Sequence, residues 1–99
     1  MLTPNQKALT VEQEDAIIQK GNLAEQLLSD EKLDLFINQY KFEVVTELSS
    51  FSSHSEEINN KRIALVNYIS GVDGFIDYLK KAITAKERME VKKRGAVEP

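Results

Sequence analysis

Cysteine and tryptophan are absent from this 99-residue chain. Without cysteine there is no disulfide, no thiolate metal ligand and no cysteine nucleophile, which fits a reducing compartment. Proline occurs twice, at Pro4 and Pro99, and glycine four times. Turn-rich β architectures need far more breakers than that. No apolar run approaches the ~20 residues of a membrane span, so no membrane partner is expected. The opening MLTPNQKALT shows neither the basic flank nor the apolar core of a secretory signal.

What remains is a chain that is 41% hydrophobic and 29% charged. It is neither membrane-embedded nor of disordered composition. The length predicts a single helical domain over 1–99, near the small end of what buries its own core. Charge divides unevenly: six Lys/Arg against thirteen Asp/Glu in residues 1–79, seven against three in 80–99. The net −3 therefore combines an acidic body (−7) with a basic end (+4).

The pattern predicts an all-α fold: an antiparallel helical hairpin with a long C-terminal heptad helix, plus an N-terminal helix. Both Thr3-Pro4-Asn5-Gln6 and Thr10-Val11-Glu12-Gln13 carry a helix-start signature. Residues 1–9 are expected as an arm and 10–28 as helix A, with Ile17, Gly21, Ala24 and Leu28 at helical spacing. Gly21 beside Ala24 leaves a flat spot where another backbone can approach. Helix B, 30–51, starts at Ser29 or Asp30; Leu33, Phe36 or Ile37, Tyr40, Val44, Leu48 and Phe51 trace its face. The serine-rich SSFSSHS ends it.

Helix C, 55–88, starts at Ser53 or Ser55 and holds the most regular feature. Ile58, Arg62, Leu65, Ile69, Val72, Ile76, Leu79 and Ile83 alternate spacings of four and three, an unbroken heptad phase with Arg62 its only polar member. No regular apolar stripe extends past Ile83, so 89–99 is expected as a flexible basic tail and truncation after Ala85 as harmless to the fold. Helix C, at roughly 50 Å, outreaches a helix B of roughly 30 Å. Val72, Ile76, Leu79 and Ile83 should then project beyond B, some of them covered by helix A, and the remainder calls for a second copy or an obligate partner.

Gly71-Val72-Asp73-Gly74 admits three readings: a small-residue packing groove, a kink, or a GxxG loop that contacts nucleotide. The heptad phase runs through Val72 unbroken, and the strand that precedes a phosphate loop is missing, as are the β-rich surroundings of a KH domain. The groove is the expectation, with Gly71, Val72, Gly74, Ile76, Leu79 and Ile83 as the partner interface.

No catalytic residue, metal ligand or cofactor is expected. His54 lies in a serine-rich loop without an oxyanion hole or enclosing pocket, and reads as a solvated histidine. The pairs Asp73/Asp77 and Glu12/Asp15 lack further ligands and read as solvent-facing charge. Among the C-terminal cations, Lys86, Arg88, Lys92, Lys93 and Arg94 are the candidate nucleic-acid contacts. Glu87 and Glu90 interrupt the run, no aromatic follows Tyr78 to stack on bases, and cations at a helix C-terminus need no ligand.

QKGNLAEQLLSDEKLDLFINQY and EEINNKRIALVNYISGVDGFIDYLKKAI resemble small helical proteins of tailed bacteriophages that are often encoded near portal and head-assembly genes. The shared pieces are Lys20-Gly21, Ala24-Glu25 running into Leu27-Leu28, a central aromatic helix, Arg62, and Gly74-Phe75-Ile76 to Leu79, over roughly residues 17–84. The resemblance implies a non-enzymatic role in phage particle assembly or virion structure, in the virion or the host cytoplasm, with itself or a phage structural protein as partner. LTPNQKAL resembles starts of small terminase subunits, although their frequent helix-turn-helix does not follow. DNA packaging or regulation through the basic tail is the alternative function, and a host-modulating adaptor a second.

Overall fold

A computed structural model of the chain describes residues 8–97. Among these residues are three helices and no strand: α1 (Val11–Leu28), α2 (Glu31–Ser50) and α3 (Glu56–Val97). Each start is chemically defined. The Gln13 amide donates to Thr10 Oγ1 at 3.1 Å while the Thr10 amide donates to Gln13 Oε1 at 2.9 Å, a reciprocal capping box. The alternative start at Thr3 and most of the 1–9 arm lie outside the described residues. Asp30 caps α2, accepting from the Lys32 and Leu33 amides at 2.8 and 3.4 Å. Ser55 Oγ accepts from the Ile58 amide at 3.2 Å at the start of α3.

The chain divides into two compact units where one was expected. One unit, Leu27–Tyr78, holds α2 and the beginning of α3. Val44 and Leu65 are buried at its centre, with Leu33, Ile37, Leu48, Ile58, Ile69, Val72 and Ile76 half-buried around them. Of the two candidates on α2, Ile37 turns inward and Phe36 stays exposed. Lys41 and Asp73 join the helices through an ion pair.

Arg62, the one polar residue on the seam, has its explanation in the α2–α3 connection. Its Nη2 donates to the carbonyls of Ser53 (2.7 Å) and Phe51 (3.3 Å), and its guanidinium lies 5.9 Å from the centre of the Phe51 ring. One cation thus satisfies carbonyls just after α2 that have no helical partner. Arg62→Ala is expected to lower stability by about 1–3 kcal/mol, read as a lower thermal midpoint. An unchanged midpoint would remove Arg62 from this role.

The other unit joins residues up to Gln26 with those from Leu79 on, and in it α1 packs against the end of α3. Gly21 and Ala24 are buried on α1; Leu79, Ala82 and Met89 are buried on α3. This corrects the expected tail. Residues 89–97 continue α3, and Met89 is only 7% exposed; residues 98 and 99 lie outside the described range. Packing continues because the inward set past Leu79 becomes Ala82, Lys86, Met89 and Lys93, spaced four, three and four. Two of those four are lysines, whose aliphatic stems cover apolar surface while their ammonium groups reach outward.

Candidate functional site

The residues with chemical potential are dispersed. His54 is exposed in the connection before α3. Asp73 is engaged by Lys41 and Asp15 by Lys93, so neither expected carboxylate pair stands as an open ligand set. Among the described residues no group of three or more His, Asp or Glu is placed to hold a metal, and none of the helices is long and apolar enough to cross a membrane.

Three of the five candidate nucleic-acid cations meet carboxylates on α1. Lys86 Nζ lies 2.8 Å from Glu25, Lys93 Nζ 2.7 Å from Asp15, and Lys92 Nζ 3.6 Å from Glu14. Arg88 and Arg94 make no ion pair among the described residues. The hydrogen bond to Glu25 raises the Lys86 pKa, desolvation opposes it, and the fields of Glu25, Glu90 and Glu87 add to it. Lys93 is raised likewise by its hydrogen bond to Asp15, against desolvation and with the fields of Asp15 and Glu14.

A raised folded pKa means that the charged lysines stabilise this unit fully below the unfolded value of 10.5. That contribution is lost as pH rises through the higher folded value. The melting advantage of the natural chain over a Glu25→Gln, Asp15→Asn variant should therefore hold up to about pH 10.5 and shrink above it. An advantage that persists at higher pH would show that the pairs act through packing rather than charge.

The expected partner interface is split. Leu79 is buried, and Val72, Ile76 and Ile83 are half-buried, so the projected row is largely covered within the chain. Gly71 and Gly74 are exposed instead, and a Cβ added to either would meet nothing within 4 Å. Among the described residues, then, no helix of the chain fills the expected groove at either glycine. The close approach occurs at Gly21, the flat spot on α1. A Cβ there would collide with Lys86 Cβ and stand 2.9 Å from Lys86 Cδ and 3.0 Å from the Ala82 carbonyl oxygen.

The largest feature that the helical pattern did not announce is aromatic. All seven Phe and Tyr residues lie between Phe36 and Tyr78, within the Leu27–Tyr78 unit. Six of them (Phe36, Tyr40, Phe42, Tyr68, Phe75 and Tyr78) are 39–72% exposed. Leu35, Val45, Ile63 and Val66 are exposed as well. In the other unit an open groove of about 410 Å³ runs past Ile18, Glu87, Glu90, Val91, Lys93 and Arg94. Its mixed lining offers an apolar strip between opposite charges, and no convergent polar set suited to a small ligand. No protein-family model, curated protein or solved structure matches this chain.

Proposed function

We propose that this protein is a non-enzymatic binding component that acts by associating with itself and, in its working setting, with a structural protein. One observation carries the reading: six of seven aromatic side chains stand at the surface of a single unit. Isolated surface apolar residues are ordinary, whereas a concentration of large rings at the surface marks a contact. In this reading α2 and the beginning of α3 form an antiparallel hairpin closed by the heptad seam from Ile58. The pairing of Lys41 with Asp73 and of Phe51 with Arg62 supports that direction, since numbers rise on one helix as they fall on the other.

Phage particle assembly, in the virion or the host cytoplasm, is the setting we propose, on the strength of the resemblance over residues 17–84. The nucleic-acid alternative is weaker than its composition suggests, because Lys86, Lys92 and Lys93 are occupied by α1 carboxylates. Co-elution with duplex DNA separates the two readings. The protein is expected to leave the DNA unshifted even at low salt. Binding that is present at low salt and collapses at moderate salt would overturn the reading in favour of nucleic acid.

A further inference from the structure

We infer that α1 is an autoinhibitory strap: it occupies a seat on the end of α3 that takes an acidic amphipathic helix of a partner protein once the strap lifts. The inference goes beyond the aromatic surface of the other unit and does not depend on it. Strap and seat lie within the unit that joins residues up to Gln26 with those from Leu79 on.

Charge makes the seat selective. α1 carries four Asp/Glu against one Lys, and residues 79–97 carry seven Lys/Arg against two Glu. Glu14, Asp15 and Glu25 each meet a lysine of α3, alongside the buried Leu79, Ala82 and Met89. A helix that replaces α1 therefore needs carboxylates at its edges. It also needs small residues along its middle, as Gly21 leaves room for the Lys86 stem. α1 itself shows which chemistry fits.

The hold is of a kind that lets go. α1 buries only Gly21 and Ala24; Ile17 and Ile18 are half-buried, and Val11 and Leu23 are largely exposed. No large side chain of α1 is thus locked into a core, in contrast to Val44 of α2. The three ion pairs lie at the surface, where each contributes little and is screened by salt. Segments with few buried apolar contacts are the first to open locally. Ser29 and Asp30 alone separate α1 from α2, and Asp30 caps α2 through the Lys32 and Leu33 amides. That cap needs nothing from α1, so α2 keeps its start when the strap lifts.

The test uses the full chain, a variant carrying Glu14→Gln, Asp15→Asn and Glu25→Gln, and a fluorescent peptide of the sequence Val11–Leu28 in the role of the partner helix. In the natural chain the tethered strap competes with the peptide at high effective concentration. In the variant the strap is weakened while the peptide keeps its carboxylates. The peptide should therefore bind the variant about tenfold or more tightly than the natural chain, and less tightly as salt is raised. Hydrogen exchange should show the α1 amides of the variant unprotected, with those around Val44 still protected. Glu12→Gln removes an α1 charge that makes no ion pair, and should leave both readouts as in the natural chain. Equal peptide binding to variant and natural chain, or binding to neither, overturns the seat. Equal protection of α1 in both overturns the strap. If the variant failed to fold, the natural chain would decide: its α1 protection should fall with rising salt while that of α2 holds, and α1 protection indifferent to salt overturns the strap. Duplex DNA that binds the variant and displaces the peptide would assign the seat to nucleic acid and overturn the partner helix.

Discussion

A chain truncated after Ala85 is expected to lose far more helical signal than the deleted residues account for. The deletion removes twelve residues of α3, Lys86–Val97, and with them everything but the first turn or two that α1 rests on. Met89 is buried, and its loss alone corresponds to about 2–5 kcal/mol for a large-to-small change at a core site. Lys86, Lys92 and Lys93 leave with it, and so do their contacts with Glu25, Glu14 and Asp15. The exposed pairs add little individually, but the Lys86 stem also covers Gly21, and its side chain is only 13% exposed. An 18-residue α1 with no face to pack on is marginal as an isolated helix in water. Far-ultraviolet circular dichroism should therefore show the loss of α1 as well. A decrease proportional to the deleted residues would mean that α1 is held by something other than the end of α3.

Gly21→Ala should destabilise the protein, although alanine is by itself the better helix former by about 1 kcal/mol. The added methyl meets Lys86 Cβ, an atom close to the backbone that cannot swing aside, and the Ala82 carbonyl oxygen at 3.0 Å. The helices must move apart, and overpacking of this kind typically costs about 1–3 kcal/mol; Gly21→Leu should cost more. Gly74→Ala provides the contrast. Its methyl enters open space, so only the helix-propensity gain applies and the thermal midpoint should rise. If both alanine variants shifted stability in the same direction, α1 would not approach α3 as closely as Gly21 indicates.

The two glycine contexts show what was legible in the sequence. Gly21, Ala24, Ile17 and Leu28 mark an inward stripe, and Gly21 and Ala24 are indeed where α1 is buried. Gly71 and Gly74 carry the same local signature on α3, yet they face outward. Helical spacing states which residues share a face and is silent on which element covers it. The end of α3 was misread for a different reason. Lys86 and Lys93 occupy inward positions, and an apolar count scores them as polar, although most of each side chain is hydrocarbon. Capping chemistry was the most readable layer, because Thr10, Asp30 and Ser55 act through bonds within a few residues of themselves. The exposed aromatic surface was the least readable: Phe36 and Phe75 carry the hydrophobicity of core residues, and only the packing of α2 and α3 leaves them outside.

Sedimentation equilibrium of the intact, unmodified chain at moderate ionic strength, over a wide concentration range, tests the central claim most directly. Apolar contact predicts a mass above the single-chain 11.2 kDa that persists as salt is raised, since the exposed rings that carry the reading, Phe36, Phe42 and Phe75 among them, bear no charge. A single-chain mass at every concentration would contradict the account.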